Sequence, residues 1–368
     1  MSIFPIITHI DDLKPHVEHL PEVRFSKQPN GLTVVCVMIA DNTTYSGPEA
    51  MWVRECRGIT FYEDGTLAVR SLHKFFNVGE RTDTQEGILP WHSVTRIMAK
   101  MDGSVINPVL VDGQVVFKSK KTFTSDVAIL ASNTATLNDK LLSEWCLLHG
   151  LSPTFELTSP KARVVIKYPN SRLTLLHIRD NVSGRYLSAI EVNAIADKFD
   201  LEVVRNFGWT MKWSDIKEEL LTIENFEGYC IQFVDGEIVK AKSKWYRDRH
   251  HALTALTERN VAEMVVNECL DDLKSTINDI QDEELIARVE EIETTILRKV
   301  NLIAKVVETQ YEEDKHLSRK DFAMKYSKQR NFGLLMTRFL GEKEPDYLGH
   351  YAKYYLKDDW EVSTLSKF

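Results

Sequence analysis

The stretch RIMAKMDGSV, Arg96 to Val105, sets one lysine, Lys100, between a short apolar run and an Asp-Gly turn. A lysine before a turn is ordinarily a solvated charge. It is a candidate nucleophile only if burial or cationic neighbours lower its pKa, because a lysine at about 10.4 is protonated at neutral pH and cannot attack. The run RIMA offers burial. Other lysines recur at strand spacing: Lys118 and Lys120 in FKSKK, Lys240 and Lys242 in VKAKS. Residues two apart on a strand share a face. Two ammonium groups on one face repel each other unless water or an anion offsets the charge. Two such pairs, each closing the second arm of an Asp-Gly hairpin, favour a polyanion site such as one for a nucleoside triphosphate.

Acids stand near these cations in the sequence pattern. Glu156 in TFELTSP and Glu227 in NFEGYC each lie beside an aromatic at a strand edge. Either is a surface carboxylate or structural ion pair, or one binds a ribose and the other Mg²⁺. Magnesium prefers carboxylate, water and phosphate oxygens to a full protein cage. LHKFFNVGE sets Lys74 among aromatic rings, and RECRGITF sets Arg57 before Gly58 at the mouth of a strand. An arginine there can fork onto phosphate or form an exposed salt bridge.

The elements that must position these residues are legible as hairpins. ITFYEDGTLAVR, NPVLVDGQVVFKSK and GYCIQFVDGEIVKAKS are β-branched or aromatic runs broken by Asp64-Gly65, Asp112-Gly113 and Asp235-Gly236. Asp-Gly tolerates the positive φ of a tight hairpin turn. LTLLHIRD reads as a further strand, and LNDKLLSEWCLLHG as a helix closed by a glycine. The first two-thirds is thus α+β with mostly antiparallel sheets. After about residue 250 the strand signals stop. Leu285, Val289, Ile292, Ile296, Val300, Ile303 and Val307 recur at steps of three and four, one apolar helical stripe. Further helix is expected around RKDFAMKYSKQ and LLMTRFLG, so the last third is all-α. The change of period places a boundary between residues 1–250 and 251–368. No Pro/Gly/Ser-rich linker marks it, and no internal repeat is present.

The chain of 368 residues is long enough for two domains, and 43% apolar with 27% charged residues is a globular composition. No apolar run reaches membrane-spanning length, and the start MSIFPIITHIDDLKPH lacks a basic region of the secretory type. Five separated cysteines without a CxxC pair argue against a zinc site or a disulfide framework. The expectation is a protein of a reducing cytoplasm. Net charge is −8, which taken alone disfavours a nucleic-acid partner. Yet Glu258 to Asp314 holds 16 acids against 6 basic residues, which leaves the rest of the chain at +2 and open to basic patches.

The order of these pieces resembles the ATP-dependent polynucleotide ligases of the covalent lysyl-nucleotidyltransferase superfamily, which includes DNA ligases and mRNA capping enzymes. KMDG is similar to its nucleophile motif, Lys-x-Asp-Gly, and FEL, EGY and KAK fall where later motifs would. Lys-x-Asp-Gly alone arises by chance in about one chain in ten of this length. Four motifs in this order are far more specific. ECRGITF, KFFN, KMDGS, FKSK, LLHIRD, EGY, KAKSKWY and DDLK in sequence resemble the RNA ligase 1 group of T-even-type bacteriophages. The resemblance covers nearly the whole chain, with RKDFAM fitting in the helical part.

This resemblance implies an antiparallel-sheet nucleotidyltransferase domain, a helical C-terminal domain serving tRNA or RNA specificity, and a three-step reaction. Lys100 takes AMP from ATP, AMP moves to a 5′-phosphate RNA end, and a 3′-hydroxyl then seals the strand. By motif, Arg57 and Lys74 would hold the outer phosphates. Gly103 and Glu156 would contact the ribose, and Phe76 would help form the nucleotide pocket. Lys240 and Lys242 would grip the α-phosphate, and Glu227 would serve a metal, Mg²⁺ or alternatively Mn²⁺. Lys118 and Lys120 match a lysine pair of the family, and Tyr246 would line the pocket. Asp271 and Asp272 match an acidic pair tied to magnesium, although on their own they read equally as acids on an acidic helix. The sequence departs from the family in one place: the strand TVVCVMIAD upstream of Arg57 has no tyrosine.

The implied substrate is tRNA broken in the anticodon loop, and the implied functional partner is a polynucleotide kinase-phosphatase. A monomer in the cytoplasm, that of a host cell if phage-encoded, is expected, with no membrane contact. KSKWYRDRHH, Lys242 to His251, is basic and aromatic enough to grip phosphate and stack a base. Two other readings compete. One is a nucleotide-regulated RNA-binding protein that does not ligate. The other, ranked lower, is a DNA-nick ligase, disfavoured because no oligonucleotide-binding barrel follows the last lysine motif.

Overall fold

The computed structural model describes residues 3–41, 43–255, 258–266, 270, 271, 273, 274, 277, 283–341 and 343–355. Contacts divide the chain into two units, Met1–Arg247 and Asp248–Phe368.

The first unit is built on three four-stranded sheets. The first contains β1 (Val23–Lys27), β2 (Thr33–Val37), β3 (Arg57–Phe61) and β4 (Leu67–Val69) in that order. Next in the chain come β5 (Phe76–Asn77), β6 (Val94–Lys100), β7 (Ser104–Val111), β8 (Gln114–Lys118), β9 (Leu151–Thr158), β10 (Arg172–Asp180), β11 (Gly228–Phe233) and β12 (Ile238–Lys242). They form the orders β10-β9-β7-β8 and β5-β12-β11-β6. Every pairing is antiparallel except β12 with β5. The three Asp-Gly turns join β3 to β4, β7 to β8 and β11 to β12. At the second, Asp112 has φ of 50° and Gly113 of 73°. Positive φ at both central residues is the turn whose twist matches paired strands.

Helices close the sheets. In chain order the first six are α1 (Ile10–Val17), α2 (Ala50–Glu55), α3 (Asp126–Thr134), α4 (Leu137–Leu148), α5 (Ala189–Lys198) and α6 (Trp213–Thr222). The helix read from LNDKLLSEWCLLHG is α4, started by a Thr136–Asp139 capping box. It buries Leu142 and Cys146, four residues apart, against Phe117, Phe155 and Ile178 of the second sheet. The third sheet packs Ile97, Tyr229, Ile231 and Val239 against Ile216 and Leu220 of α6. Full burial of each such aliphatic side chain contributes about 1.5–3 kcal/mol.

A buried ion network ties α2 to distant segments. The Glu55 carboxylate accepts from Arg70 at 3.0 Å and from Arg179 at 2.9 and 3.1 Å. Arg70 also donates to the carbonyls of Pro5, Asn181 and Val182, and Arg179 to those of Ser71 and Gly184. All three side chains are fully buried. Every charge therefore needs these partners, because a buried ion without them is severely unfavourable.

Helix α7 (Lys244–Ala255) follows the last strand, and the described residues of the second unit's regular elements are helical. The apolar stripe lies on one helix, Glu283–Asp314, where Val289, Ile296, Ile303 and Val307 are buried and Ile292 and Val300 partly so. The side chain of Leu285 lies outside the described residues. The two further expected helices are Arg319–Tyr326 and Phe332–Leu340. No described helix is long and apolar enough to cross a membrane.

Candidate active site

Strand register brings the key residues together. β11 lies between β6 and β12, and one position of it, Gly228, pairs with Lys100 on one side and Lys242 on the other. Glu227, just before that glycine, sits between the two lysines. Its Oε1 lies 2.7 Å from Lys100 Nζ and 3.2 Å from Lys242 Nζ. Gly228 has φ of 149°, and a Cβ there would meet the Ala241 carbonyl oxygen at 1.9 Å. Only glycine fits this crossing point, so the GY of EGY is a packing requirement as well as a motif.

Lys100 opens onto a cleft of about 920 Å³. Arg57, Lys74, Lys120 and Lys240 line it with Phe76, Gly103 and Glu156. Phe76 is nearly buried in β5, with Arg54 5.5 Å, Lys74 4.7 Å and Arg81 4.8 Å from its ring centre. The cations also act on one another. Burial first, then Lys74 and Lys100, push the Lys240 ammonium down to about 8. Burial, with Arg57 also contributing, lowers Lys74 and Lys120. Such mutual depression is relieved when an anion enters.

The two carboxylates behave differently. Burial pushes the Glu156 carboxyl up to about 8, with Lys100 opposing and Glu227 reinforcing the shift. Glu227 is buried, and its Oε2 has no hydrogen-bond partner among the described residues. A buried acceptor left unpaired invites a ligand. No group of three or more His, Cys, Asp or Glu among the described residues is placed to hold a metal. The one orphaned oxygen suits a cation that takes most of its ligands from water and phosphate.

Lys100 itself departs from expectation. Burial was expected to lower its pKa. Burial does act in that direction, but the Glu227 carboxylate, with Cys230 and Glu156, outweighs it, and the pKa lies above the ordinary lysine value.

Asp102 locks the turn. Its Oδ2 accepts from the amides of Val165 and Ile166 at 2.7 and 2.6 Å, and its Oδ1 from the Tyr246 hydroxyl at 2.7 Å. Tyr246, expected to line the pocket, is instead buried behind it, where it braces Asp102 and carries Lys242 4.6 Å above its ring.

The Lys118/Lys120 pair does not share a strand face. β8 ends at Lys118, so the period of two stops there. Lys118 is fully buried, donates to the Gly58 carbonyl at 3.0 Å and lies outside the cleft lining, whereas Lys120 lines it. Asp271 belongs to the second unit, where it is exposed. Asp272 lies outside the described residues.

The structure adds residues that sequence reasoning missed. Tyr45, beyond the tyrosine-free strand, lines the cleft with its ring 5.5 Å from Phe76. Arg81 pins that segment by donating to the Tyr45 carbonyl at 2.9 Å and to Ser46 Oγ at 3.1 Å. A β-bulge between Leu175 and His177 turns Leu176 and His177 into the cleft floor. Loop residues carry no periodicity, so only the run of Tyr45 and Ser46 before Gly47 hinted at the first.

Residues 55–254 match the family model described as RNA ligase, and residues 255–358 match that of T4 RNA ligase 1, C-terminal domain. A putative RNA ligase of Thermovibrio ammonificans is 32% identical over 235 residues, 61% of this chain and 61% of that one. RNA ligase 1 of Bacteriophage TS2126 is 27% identical over 236 residues, 58% of this chain and 55% of that one. The matches thus span little more than half the length of these curated relatives. Among solved structures, an archaeal ATP-dependent RNA ligase is 15% identical over 83% of this chain and 80% of that one, with a TM-score of 0.48. With both family models together covering most of its length, the chain belongs to the RNA ligase family of the T4 RNA ligase 1 type.

Proposed function

We propose that the protein is an ATP-dependent RNA ligase that joins 5′-phosphate and 3′-hydroxyl ends through AMP carried on Lys100. The observation that carries this reading is Lys100 in the lining of a cleft with five further cations, Arg57, Lys74, Arg81, Lys120 and Lys240, beside the acids Asp41, Glu80 and Glu156. Phosphoryl transfer asks mainly for positioning and charge neutralisation, which such a wall supplies. Arg57, Lys74 and Lys120 hold the outer phosphates, Lys240 and Lys242 the α-phosphate, Gly103 and Glu156 the ribose. Phe76 forms part of the nucleotide pocket.

Lys100 attacks as the neutral amine, so its ammonium proton must leave first. Glu227 Oε1, 2.7 Å away, is the acceptor in position for it. The new N–P bond forms as the bond from the α-phosphorus to the pyrophosphate oxygen breaks. A 5′-phosphate oxygen then attacks the AMP phosphorus and frees the Lys100 amine. In the last step a 3′-hydroxyl attacks the activated end and AMP leaves. A divalent cation, Mg²⁺ or alternatively Mn²⁺, would be held at Glu227 and would supply neutralisation of phosphate charge. Lys118 and Tyr246 act indirectly, by holding Gly58 and Asp102. Asp271 and Asp272 remain candidates for metal through the resemblance alone.

The substrate class implied by the family is tRNA cut in the anticodon loop, selected with the help of the helical unit, residues 251–368. Ends that arrive as 5′-hydroxyl and 3′-phosphate need a polynucleotide kinase-phosphatase before this reaction. A cytoplasmic monomer fits these roles.

The test mixes the protein with α-labelled ATP and magnesium, denatures it and looks for label on the chain. Label lost in Lys100→Ala, and released as AMP by 5′-phosphorylated RNA, supports the ligase. An unlabelled folded protein shown to hold no AMP beforehand would favour the nucleotide-regulated RNA binder.

A further inference from the structure

The run Glu258 to Asp314 is acidic taken whole, yet one face of the helix Glu283–Asp314 is not. Along this helix the acids stop at Glu293 and resume at Glu308. The residues between hold Arg298, Lys299 and Lys305 and no acid. Thr294, Arg298, Asn301 and Lys305 follow one another at steps of three and four, so they stand in one line along the helix, about 16 Å long. Leu297 and Leu302 flank that line, one on each side, and are 45% and 43% exposed. All six residues are exposed and together line a groove of about 420 Å³. They lie opposite the stripe Val289, Ile296, Ile303 and Val307 that the unit buries.

The two cations of the line are not already engaged. Among the described residues, the Arg298 guanidinium and the Lys305 ammonium have no ion pair, hydrogen bond or ring contact. The Lys305 carbonyl takes the Thr309 hydroxyl, which leaves the side chain untouched. Lys299 lies on another face and has a partner, so it does not belong to the line. The acids that close the line beyond Lys305 are taken up elsewhere: Glu308 pairs with Arg338, and Glu312 with Lys315. At the other end Glu291 precedes Arg298 by two turns, about 10 Å along the axis, where salt largely screens exposed charges. A second copy of this chain does not suit the face. Two copies paired antiparallel across it would set Arg298 of each near Lys305 of the other, cation against cation.

We propose that the face Thr294 to Lys305 docks the phosphate backbone of the RNA substrate. Arg298 and Lys305 contact phosphates, Thr294 and Asn301 hydrogen-bond to phosphate or sugar oxygens, and the two leucines wall the groove. The inference rests on the ligase reading for its partner and deepens it by giving that partner a place on the helical unit. No residue of the nucleotide cleft lies on this helix, so the face serves RNA and not ATP.

The test compares the full-length protein with two double variants. Arg298→Gln/Lys305→Gln removes both charges and keeps residues that favour helix. Arg298→Lys/Lys305→Arg keeps the charges. Binding of a fluorescently labelled tRNA, cut in its anticodon loop to leave 5′-phosphate and 3′-hydroxyl ends, is followed by anisotropy over a salt series, without ATP. Label uptake from α-labelled ATP is measured separately. Expected is weaker binding in the Gln variant, with the slope of log affinity against log salt shallower by about 1.4 to 1.8, the range for two lost phosphate contacts. The charge-preserving variant keeps the original slope, and adenylylation is unchanged in all three proteins. Unchanged affinity and slope in the Gln variant overturn the proposal and turn the search to an acidic protein partner. An equal loss in the charge-preserving variant also overturns it, because charge is then not what the face reads with. If the unaltered protein takes up no label, the ligase reading fails, while the anisotropy series still judges the face.

Discussion

At Lys100 two influences oppose each other. Burial favours the neutral amine, the form the proposed reaction needs, whereas the Glu227 carboxylate at 2.7 Å favours the ammonium, and the carboxylate prevails. A raised lysine pKa stabilises the fold fully below the ordinary lysine value, and that contribution is lost only as pH rises through the folded value. The ion pair is therefore intact throughout the neutral range, and the free protein keeps Lys100 protonated. In Glu227→Gln the opposing partner is gone, leaving burial and the neighbouring cations. The pH midpoint for modification of Lys100 by an amine reagent, read by mass spectrometry, is expected to fall by about one to three units. An unmoved midpoint would mean that Glu227 does not govern this lysine. Lys240 runs the other way, held down to about 8 chiefly by burial and then by Lys74 and Lys100. An entering phosphate restores its proton, so pyrophosphate affinity is expected to fall as pH rises through about 8, with proton uptake on binding. Calorimetry in two buffers of different ionisation heat measures both. The Lys240→Met variant should bind more weakly and lose most of this pH dependence. Most of these residues were legible in the sequence because their types are unusual at strand ends. What was not legible was the sign of the shift at Lys100, which depends on a carboxylate 127 positions away in the chain.

The strand is the element that converts sequence into site. The three hairpins could be read because Asp-Gly accepts the positive φ of their turns, and the two-residue period then placed Lys240 and Lys242 correctly on β12. The same rule failed at Lys118 and Lys120, because a period says nothing about where a strand stops. Tyr45, Arg81 and His177 escaped for a related reason: loops and a bulge aim side chains without leaving a repeat. Least legible of all was the Glu55–Arg70–Arg179 network, whose members look like ordinary charges in the sequence. Burial pushes the Glu55 carboxyl up, but Arg179 and Arg70 outweigh it and hold it at about 2. A depressed carboxyl contributes stability above its unfolded value, here 4.5, and loses it as pH falls through the folded value. The network is thus intact at neutral pH and is expected to weaken between about 4.5 and about 2. Glu55→Gln leaves two buried guanidinium groups without a counter-charge, which should lower stability by about 3–5 kcal/mol at neutral pH. Urea unfolding followed by tryptophan fluorescence measures this. A loss below about 1 kcal/mol would mean that the surrounding carbonyls alone satisfy both arginines.

Across the whole molecule, every residue lining the cleft belongs to the unit Met1–Arg247, together with Glu227, Lys242, Asp102 and Tyr246. The second unit has a separate apolar core, built around the helix Glu283–Asp314 with Phe322, Leu335 and Tyr351. It also holds the acidic run Glu258 to Asp314, a poor surface for gripping phosphate, since backbone contacts require Lys and Arg. The cleft and the second unit's core thus lie in different units, a division that a truncation can read. A chain ending after residue 255 keeps α7, and with it Tyr246 and its bond to Asp102. If that fragment folds, shown by a cooperative thermal transition, it should take label from α-labelled ATP at a rate within about tenfold of the full chain, since no cleft residue is lost. Its discrimination between a broken tRNA and an unstructured RNA with the same ends should decline much further, because the proposal gives RNA selection to the helical unit. A fragment that folds but fails to label would move an essential group into residues 256–368, with Asp271 and Asp272 the first to substitute. A fragment that labels and still prefers broken tRNA as strongly as the full chain would instead place selectivity in the first unit.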